Sequence, residues 1–355
     1  MSTQIETTNL LRIGVVVYDL DAKIKEYSRI YGITDWDIAE HAPTDAVAHG
    51  RRLATTPGTW RSAVGTTPAV NGEKGPGGRP ASSLTFELIE PTGGESPFNE
   101  FLRTKREGIA FLQVRSTAAN DEAVAEHFKA LVYDIAYTAT VDGATRTFYD
   151  TRENLGGFLV EMLPATVADP AQVSTDTRPP QPVQGMYHFG VLVHDVMAAL
   201  PHYRDVFGIQ RYEMKTWETG FGRLDKPYYR GKDGDTGYFT AQGTAGDFGF
   251  EIISVNHGDC HYNREFFDER GPGIHHYFAW MTMEDSEWDE VVASMTEAGH
   301  PLCMGSNLRG GAAEFGYFDT FDALGGYLIE IVARREPPKP EFAAPDWIVD
   351  FEELV

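Results

Sequence analysis

Short apolar runs recur along the chain, and several are followed directly by a stretch with helical periodicity. The run IGVVVYDL is followed by a stretch that ends at Gly32, and HFGVLVHDV by one that ends at Gly208. Asp19 and Asp195 lie where a helix N-cap is expected, and glycine is the usual residue just beyond a helix. Both places therefore predict a β-strand followed by an α-helix.

The pattern occurs twice because the chain is duplicated. Residues 11–33 match residues 187–209, and FYDTRENLGGFLVE at 148–161 matches YFDTFDALGGYLIE at 317–330. A shorter match pairs FELIE with FEIIS. An internal repeat of this kind sets the architecture of the whole chain.

These matches predict two similar halves, at 10–164 and 185–334. The linker at 165–184 is rich in Pro, Thr and Asp, which is typical of a connecting segment. The tail at 335–355 is Pro-rich and then amphipathic, so we expect it to pack back on the body or onto a second subunit.

Each half contains a second, weaker repeat. The next strand–helix pair is GIAFLQVRS with NDEAVAEHFKALVYD in the first half, and HHYFAWMTM with EDSEWDEVVASMTEAG in the second. Asp285 is the expected N-cap of the last of these helices, and Gly299 lies where that helix should end. The repeated unit is βαβββ, present four times, and the predicted fold class is α+β.

This organisation resembles the vicinal oxygen chelate superfamily, which includes glyoxalase I, methylmalonyl-CoA epimerase, extradiol dioxygenases and bleomycin-resistance proteins. The phrases HFGVLVHDV, FELIEP, GPGIHHYFAW and LGGYLIEIV are similar to hallmarks of that family, and the resemblance covers nearly all of 10–334. It implies that each pair of βαβββ modules curls into a cup around a metal, so this chain should form two cups.

Four polar side chains interrupt apolar strands of the second half, namely His188, Glu251, His276 and Glu330. Burying an ionised carboxylate in such a strand is costly unless it is paired or binds a metal. Two imidazoles and two carboxylates converging on a divalent ion would remove that cost. Strand alternation places His275 on the face opposite His276, in the layer behind.

The resemblance assigns these four residues to the ligand positions of the glyoxalase and epimerase branch. It implies one divalent metal ion (Zn, Mn, Co, Ni or Fe) as the cofactor. The alternative is that some of the four are core residues with internally satisfied hydrogen bonds.

The first half offers an internal comparison. Its matched positions are Arg12, Glu87, Phe111 and Glu161. Neither arginine nor phenylalanine can ligate a cation. We therefore expect a metal-free cup in which Arg12 pairs with Glu87 or Glu161.

In the family a ligand glutamate can leave the metal and act as a base, so the resemblance implies Glu251 and Glu330 as catalytic residues. Two bases on opposite faces of a small hydroxy- or oxo-compound would support epimerisation or isomerisation through an enolate. If that enolate expels a β leaving group instead, the protein is a lyase.

A non-haem Fe(II) ring-cleaving dioxygenase is a further alternative. It would use His188, His276 and Glu330 as a two-histidine, one-carboxylate triad. Glu251 counts against it, because a fourth protein ligand would fill a position that dioxygen and substrate need. A non-enzymatic binding module, as in drug-sequestering members of the family, should lack the ligand set.

Other side chains are expected near the cup and are candidates for binding substrate. They are Tyr212, Lys215, Trp217, Tyr229, His257 and Arg309. The glycine pair that follows Arg309 predicts a flexible loop that could close over substrate.

The charge composition limits the kinds of partner that the protein can bind. The 355 residues include 53 acidic and 30 basic ones, a formal net charge of −23. A field of that sign repels nucleic-acid phosphates and anionic lipid, so we expect a small-molecule substrate and no nucleic-acid partner. We find no apolar stretch of about 18 residues, and therefore expect no membrane span. The oligomeric state is left open, with a homodimer allowed.

Two features bear on the compartment. The N-terminal residues MSTQIETTNLLR lack the basic and apolar regions of a secretory signal, so none is expected. The chain has two cysteines, Cys260 and Cys303, which fits free thiols in a reducing cytoplasm.

Overall fold

The computed structural model describes residues 5–53, 57–220 and 223–353. The strands of the first half are β1 Thr7–Val16, β2 Trp36–His41, β3 Thr44–Ala48, β4 Arg51–Arg52, β5 Thr59–Thr66, β6 Pro68–Val70, β7 Thr85–Gly93, β8 Gly108–Ser116, β9 Ile135–Val141, β10 Ala144–Tyr149 and β11 Leu159–Leu163. Strand β12, Val173–Thr175, lies in the linker. The remaining strands are β13 His188–Leu192, β14 Arg211–Glu218, β15 Leu224–Tyr229, β16 Lys232–Asp233, β17 Gly237–Ala245, β18 Phe248–His257, β19 Gly273–Thr282, β20 Leu302–Leu308, β21 Ala313–Phe318, β22 Leu328–Arg334 and β23 Trp347–Asp350.

The helices are short, and most connect strands of one module. They are α1 Leu20–Tyr31, α2 Pro97–Lys105, α3 Asp121–Ala130, α4 Arg152–Leu155, α5 Val196–Phe207, α6 Asp268–Arg270, α7 Asp285–Glu297, α8 Phe321–Leu324 and α9 Pro340–Ala343. Short 3₁₀ segments lie at Pro76–Gly78 and Arg309–Gly311, and a π-helical segment lies at Tyr262–Phe267. Among the described residues, no helix has both the length and the apolar surface that crossing a bilayer requires.

The ends of α1 and α5 follow the sequence signals. The carboxylates of Asp19 and Asp195 each accept a hydrogen bond from a backbone N–H in the first turn. Gly32 and Gly208 end the two helices with φ of 72° and 80°, a left-handed conformation that glycine adopts without strain. The duplicated sequence therefore forms duplicated strand–helix units.

The predicted N-cap of α7 is wrong by one residue. Glu284 occupies that position and makes no capping hydrogen bond, while Asp285 is the first helical residue and pairs with Arg335. Two adjacent acidic residues carry nearly the same signal, so the pattern alone could not separate them.

The first half forms a ten-stranded curled sheet in the order β2-β5-β7-β1-β8-β11-β10-β9-β3-β4. Strands β1, β2, β5 and β7 with α1 make one βαβββ module, and β8 to β11 with α3 make the next. Strand β1 runs parallel to β7 and antiparallel to β8, so the first strands of the two modules meet at the centre of the sheet.

The second half repeats this arrangement in an eleven-stranded sheet ordered β16-β15-β20-β21-β22-β19-β13-β18-β17-β14-β23. Here β13 is parallel to β18 and antiparallel to β19. The predicted α+β fold of four βαβββ modules in two curled sheets is confirmed. Linker strand β12 pairs with β6 of the first half, so the linker is not separate from that half. The exact limits of the domains stay a prediction.

Buried aromatic residues join the two halves. The hydroxyl of Tyr27 lies 2.7 Å from that of Tyr327, and Tyr277 donates to the hydroxyl of Tyr31 at 2.5 Å. All four rings are fully buried within one apolar core that contains residues of both halves. Hydrogen bonds between buried groups are strong and directional, so these pairs fix how the halves pack.

The C-terminal tail packs back on the body. Strand β23 pairs antiparallel with β14, with Trp347 opposite Met214, and Phe351 packs edge-on against Tyr212. One side of the second sheet therefore ends in a tail strand. A homodimer stays a prediction.

Candidate metal centre

Four polar side chains meet on neighbouring strands of the second sheet. Strands β22, β19, β13 and β18 lie side by side and carry Glu330, His276, His188 and Glu251 respectively. One ligand atom from each residue lies within 4.8 Å of all the others. The structure thus brings together all four residues that the sequence singled out.

Their spacing suits a single divalent cation. Nε2 of His188 lies 3.1 Å from Oε2 of Glu330 and 3.8 Å from Oε2 of Glu251. Nε2 of His276 lies 3.3 Å and 3.7 Å from the same two oxygens. Ligands placed about 2.1 Å from one ion are separated by about 3.0–3.4 Å when their bonds are at right angles or tetrahedral. Nε2 of His276 is also buried without a hydrogen-bond partner, so the residues fit a metal ion.

The two carboxylates differ in their surroundings. Burial raises the pKa of Glu251. The positive charge of a protonated His188 acts to lower this pKa and the negative charge of Glu330 acts to raise it, and the net result is a raised pKa. Burial acts in the same direction on Glu330, but the hydrogen bond with His188 and the nearby imidazole of His276 outweigh it and lower the pKa of Glu330 to about 2. Glu330 is therefore held between the imidazoles, whereas Glu251 takes up a proton more readily.

A glycine opposite His276 makes room for its ring. Gly190 pairs with His276 across β13 and β19, and a Cβ at Gly190 would lie 1.8 Å from the imidazole. The first half has the same arrangement, since a Cβ at Gly14 would lie 1.9 Å from the ring of Phe111. The duplicated glycine thus creates one ring-sized space in each cup.

Replacing Gly190 by alanine is expected to displace His276 and weaken metal binding. Overpacking of this kind costs about 1–3 kcal/mol of stability. The matched control is Gly14→Ala, which should cost a similar amount of stability through Phe111 but leave metal affinity unchanged. Thermal melts and metal titrations of both variants check this, and equal metal affinity in the two would contradict it.

Behind His276 lies a chain of buried imidazoles. Nδ1 of His276 is 3.0 Å from Nδ1 of His275, and Nε2 of His275 is 2.9 Å from Nδ1 of His261. Nε2 of His261 then faces the carboxylate of Glu265 at 3.5 Å. If Nε2 of His276 binds a cation, its Nδ1 carries the proton and donates to His275, which in turn donates to His261.

This contact corrects the expectation that His275 points away from His276. The register of β19 against β13 shifts here, because Gly190 pairs with His276 and Val191 with Ile274. His275 is the extra residue of a β-bulge, and a bulge breaks the alternation of faces on which the expectation rested. Burial lowers the pKa of His275 well below its ordinary value and that of His261 to about 4, so both rings are neutral near pH 7.

Removing the middle imidazole should weaken metal binding without removing a ligand. We expect His275→Leu to lower metal affinity by about 10–100-fold, the usual effect of losing a group that orients a ligand histidine. His194→Leu is the control, since that ring is exposed and packs edge-on against Phe267. Competition with a chelator measures the metal affinity. An unchanged affinity in a folded His275→Leu protein would show that His275 does not orient His276 for metal binding.

In the first half, an arginine occupies the place of the cluster. Arg146 donates to Glu87 at 2.7 Å and to Glu161 at 2.6 Å, and Arg12 pairs with Glu87 at 2.9 Å. The expected Arg12 pair is present, but sequence reasoning missed Arg146. Burial acts to raise the pKa of Glu87, yet the charges of Arg146 and Arg12 lower it to about 2. Aligning the repeats would have found Arg146, which matches Phe315 of the second half.

A cavity of about 650 Å³ opens over the cluster. His188, Glu251 and Glu330 line it, and so do two of the predicted substrate residues, Trp217 and Arg309. Aromatic side chains form part of its wall, among them Tyr187, Tyr238, Phe278, Phe315 and Tyr317. The cavity therefore combines polar groups with aromatic surface, as small-molecule sites commonly do.

The other four substrate candidates do not line this cavity. Tyr212 is buried in the core, and Lys215 donates to the carbonyl of Ala343 at 2.9 Å. Tyr229 donates a hydrogen bond to Glu265, and Nε2 of His257 lies 2.6 Å from Glu218. Because each is engaged elsewhere, Tyr212, Lys215, Tyr229 and His257 are not assigned to substrate binding.

Gln242 and Arg334 are among the cavity residues that were missed from the sequence. Gln242 donates to Oε1 of Glu251 at 2.9 Å from the neighbouring strand, directly opposite it in register. Arg334 lines the cavity from β22, on the strand that carries Glu330. Strand parity could have found Arg334, since it follows Glu330 by an even number of residues.

No protein-family model matches the chain, and no curated protein matches it as a relative. Solved structures do match across nearly its full length. A triple mutant of 4-hydroxymandelate synthase from Streptomyces coelicolor superposes with a TM-score of 0.58 at 12% identity, covering 94% of this chain and 94% of that one.

Two further structures give lower scores. A Mn(II)-bound glyoxalase from Novosphingobium aromaticivorans has a TM-score of 0.49 at 12% identity, covering 95% of this chain and 85% of that one. A xylose isomerase-like TIM barrel/4-hydroxyphenylpyruvate dioxygenase fusion protein has a TM-score of 0.46 at 10% identity, covering 95% of this chain and 50% of that one. At such identities the synthase match speaks for the fold alone, and it confirms the vicinal oxygen chelate fold expected from the sequence.

Proposed function

We propose that this protein is a divalent-metal-dependent isomerase or epimerase of a small hydroxy- or oxo-compound. The observation that carries the proposal is the pair of buried carboxylates, Glu251 and Glu330, which lie on different strands beside the same two imidazoles. In the first cup arginines neutralise the matched carboxylates Glu87 and Glu161, whereas among the described residues Glu251 and Glu330 form ion pairs only with the two imidazoles and line a cavity.

His188, His276, Glu330 and Glu251 would hold one ion of Zn, Mn, Co, Ni or Fe. When bound, such an ion supplies Lewis acidity, which polarises a substrate carbonyl and favours loss of the neighbouring proton. The protein groups position the ligands, since the imidazole chain behind His276 fixes which of its nitrogens faces the two carboxylates.

The two carboxylates differ in their distances to the imidazoles, which supports different roles for them. Glu330 lies closer to both imidazoles, at 3.1 Å and 3.3 Å, than Glu251 does at 3.8 Å and 3.7 Å. Gln242 holds Oε1 of Glu251, which leaves its Oε2 directed at the cluster. We therefore assign Glu330 chiefly to anchoring and Glu251 to proton removal.

The reaction conserves atoms and electrons. Oε2 of Glu251 takes the proton from the carbon next to the carbonyl, and the C–H electron pair moves into the carbonyl to give an enolate. Delivery of a proton from water to the opposite face, relayed by Glu330, gives the epimer, and return of the proton held by Glu251 to the neighbouring oxygen or carbon gives the isomer. If the enolate loses a β leaving group instead, the same residues perform a lyase reaction.

Solvent deuterium tests this proposal. The metal-loaded protein, incubated in D₂O with a panel of 2-hydroxy and 2-oxo acids, should introduce deuterium next to the carbonyl of at least one compound, as read by NMR. Retention of the original hydrogen in every compound, at rates equal to those without protein, would reject enolisation.

A ring-cleaving or related oxygenase is the second candidate. The closeness of Glu330 to both imidazoles favours it, because His188, His276 and Glu330 alone make the triad of non-haem Fe(II) oxygenases. The synthase similarity, in fold only, is in keeping with this alternative. Substrate-dependent oxygen uptake by the Fe(II)-loaded protein would favour the oxygenase, and its absence would favour the isomerase.

A further inference from the structure

Two guanidinium groups line the cavity without a carboxylate partner. Arg309 and Arg334 both line the cavity over the cluster. Within the part of the chain that the structure describes, neither forms an ion pair, although their neighbours Arg223 and Arg335 pair with Asp346 and with Glu314. This contrast is notable because acidic residues outnumber basic ones by 53 to 30 in this chain.

Arg309 lines the cavity in an unfavourable backbone conformation and with an unpartnered donor. Its Nε is buried and has no hydrogen-bond partner, and its guanidinium lies 5.8 Å from the ring centre of Trp217. Its φ of 57° is in the left-handed region, which non-glycine residues adopt at some cost. A buried donor without a partner costs free energy unless something that binds there satisfies it.

The net charge of the metal-loaded cavity favours binding of an anion. Glu251 and Glu330 together balance one divalent cation, and Glu213 offsets one of the two guanidinium charges, which leaves a net positive charge. Two further charged residues line the cavity: Arg211 pairs with Asp350 at 3.6 Å, and Glu213, which is exposed, makes no ion pair with either guanidinium. Guanidinium groups present paired N–H donors that match the two oxygens of a carboxylate.

We propose that the substrate is an oxo or hydroxy acid with a second carboxylate, distal to the groups at the cluster, which binds Arg309 and Arg334. This inference rests on the proposed function and deepens it by naming the substrate class. Arg309 and Arg334 are then specificity-determining residues that select a dianionic oxo acid over a neutral or monoanionic one.

Matched probe pairs test the proposal by binding alone. Titration calorimetry of the full-length protein, both metal-free and Mn(II)-loaded, would compare 2-oxoglutarate with 2-oxovalerate, 2-oxoadipate with 2-oxohexanoate, and 2-oxopimelate with 2-oxoheptanoate. Each pair has the same length and differs only in the distal carboxylate. At least one dicarboxylate should bind about tenfold or more tightly than its partner, an increment typical of a charge-assisted contact.

Three single variants and one double variant show which arginines cause the preference. Arg309→Gln and Arg334→Gln should each remove most of the dicarboxylate preference while leaving monoacid affinity and metal affinity unchanged. Arg211→Gln is the matched control, since this arginine lines the same cavity but already pairs with Asp350, and it should keep the preference. The proposal is overturned if no dicarboxylate is preferred, or if the preference survives in the double variant Arg309→Gln/Arg334→Gln.

The outcome separates this inference from the proposed function. Dicarboxylate preference that depends on both arginines, without any deuterium exchange, would keep the acid-binding subsite and reject the isomerase. Deuterium exchange with no dicarboxylate preference would support the isomerase and reject the acid-binding subsite. The preference is expected to be larger in the Mn(II)-loaded arm, because Glu251 and Glu330 repel the second carboxylate when no cation balances them.

Discussion

Replacing Glu251 with glutamine is expected to slow substrate proton exchange by about 10²–10⁴-fold, the usual contribution of a general base. Glutamine keeps the size of the side chain and its contact with Gln242, but it cannot accept the proton. Exchange would be followed by NMR in D₂O with the protein saturated with Zn(II), so that weaker metal binding does not limit the rate.

Glu213→Gln is the control for this variant. Glu213 is an exposed carboxylate that lines the same cavity, and it makes no ion pair with the four clustered residues. Full exchange should persist in Glu213→Gln. A Glu251→Gln protein that exchanges at the wild-type rate would rule out Glu251 as the base. It would favour the oxygenase, which uses only the triad of His188, His276 and Glu330.

Replacing Arg146 with methionine is expected to destabilise the first half by about 3–5 kcal/mol, the cost of leaving a buried charge without its partner. Arg146 is largely buried and is the cation that contacts both Glu87 and Glu161. Arg12→Met is the matched control and should cost less, because Arg146 still holds Glu87 and the Arg12 side chain is more exposed.

The pH dependence separates this effect from simple loss of packing. In the wild type the pKa of Glu87 is lowered from 4.5 to about 2, so its stabilising contribution is complete above about pH 4.5 and is lost as the pH falls toward 2. In Arg146→Met the unpaired carboxylates favour their protonated forms, so the deficit should be largest at neutral pH and shrink on acidification. Denaturant unfolding at several pH values measures this, and a deficit independent of pH would contradict the ion-pair account.

The duplication made much of the fold predictable from the sequence. Gly14 and Gly190 occupy the same place in the two halves, and each faces the ring of the residue at the matched position, Phe111 or His276. Because repeated sequences fold into repeated units, matching the halves also located the four strands that carry the cluster. The coarse position of each polar residue followed from that match.

What the sequence could not supply came from local irregularity and from distant contacts. The bulge at His275 breaks strand alternation, so its contact with His276 was not foreseen. Lys215 shares its strand parity with the cavity residue Trp217, yet its ammonium donates to Ala343 in the tail. Where the tail packs is decided by tertiary contacts that a strand pattern does not contain.

The most direct measurement of the central claim is the metal content and position in crystals of the full-length protein soaked with Mn(II) or Zn(II). We expect one ion per chain, seen by anomalous scattering, bound to His188, Glu251, His276 and Glu330, with none between Glu87 and Glu161. An empty cluster in the second half, or an ion that binds in the first cup instead, would contradict it.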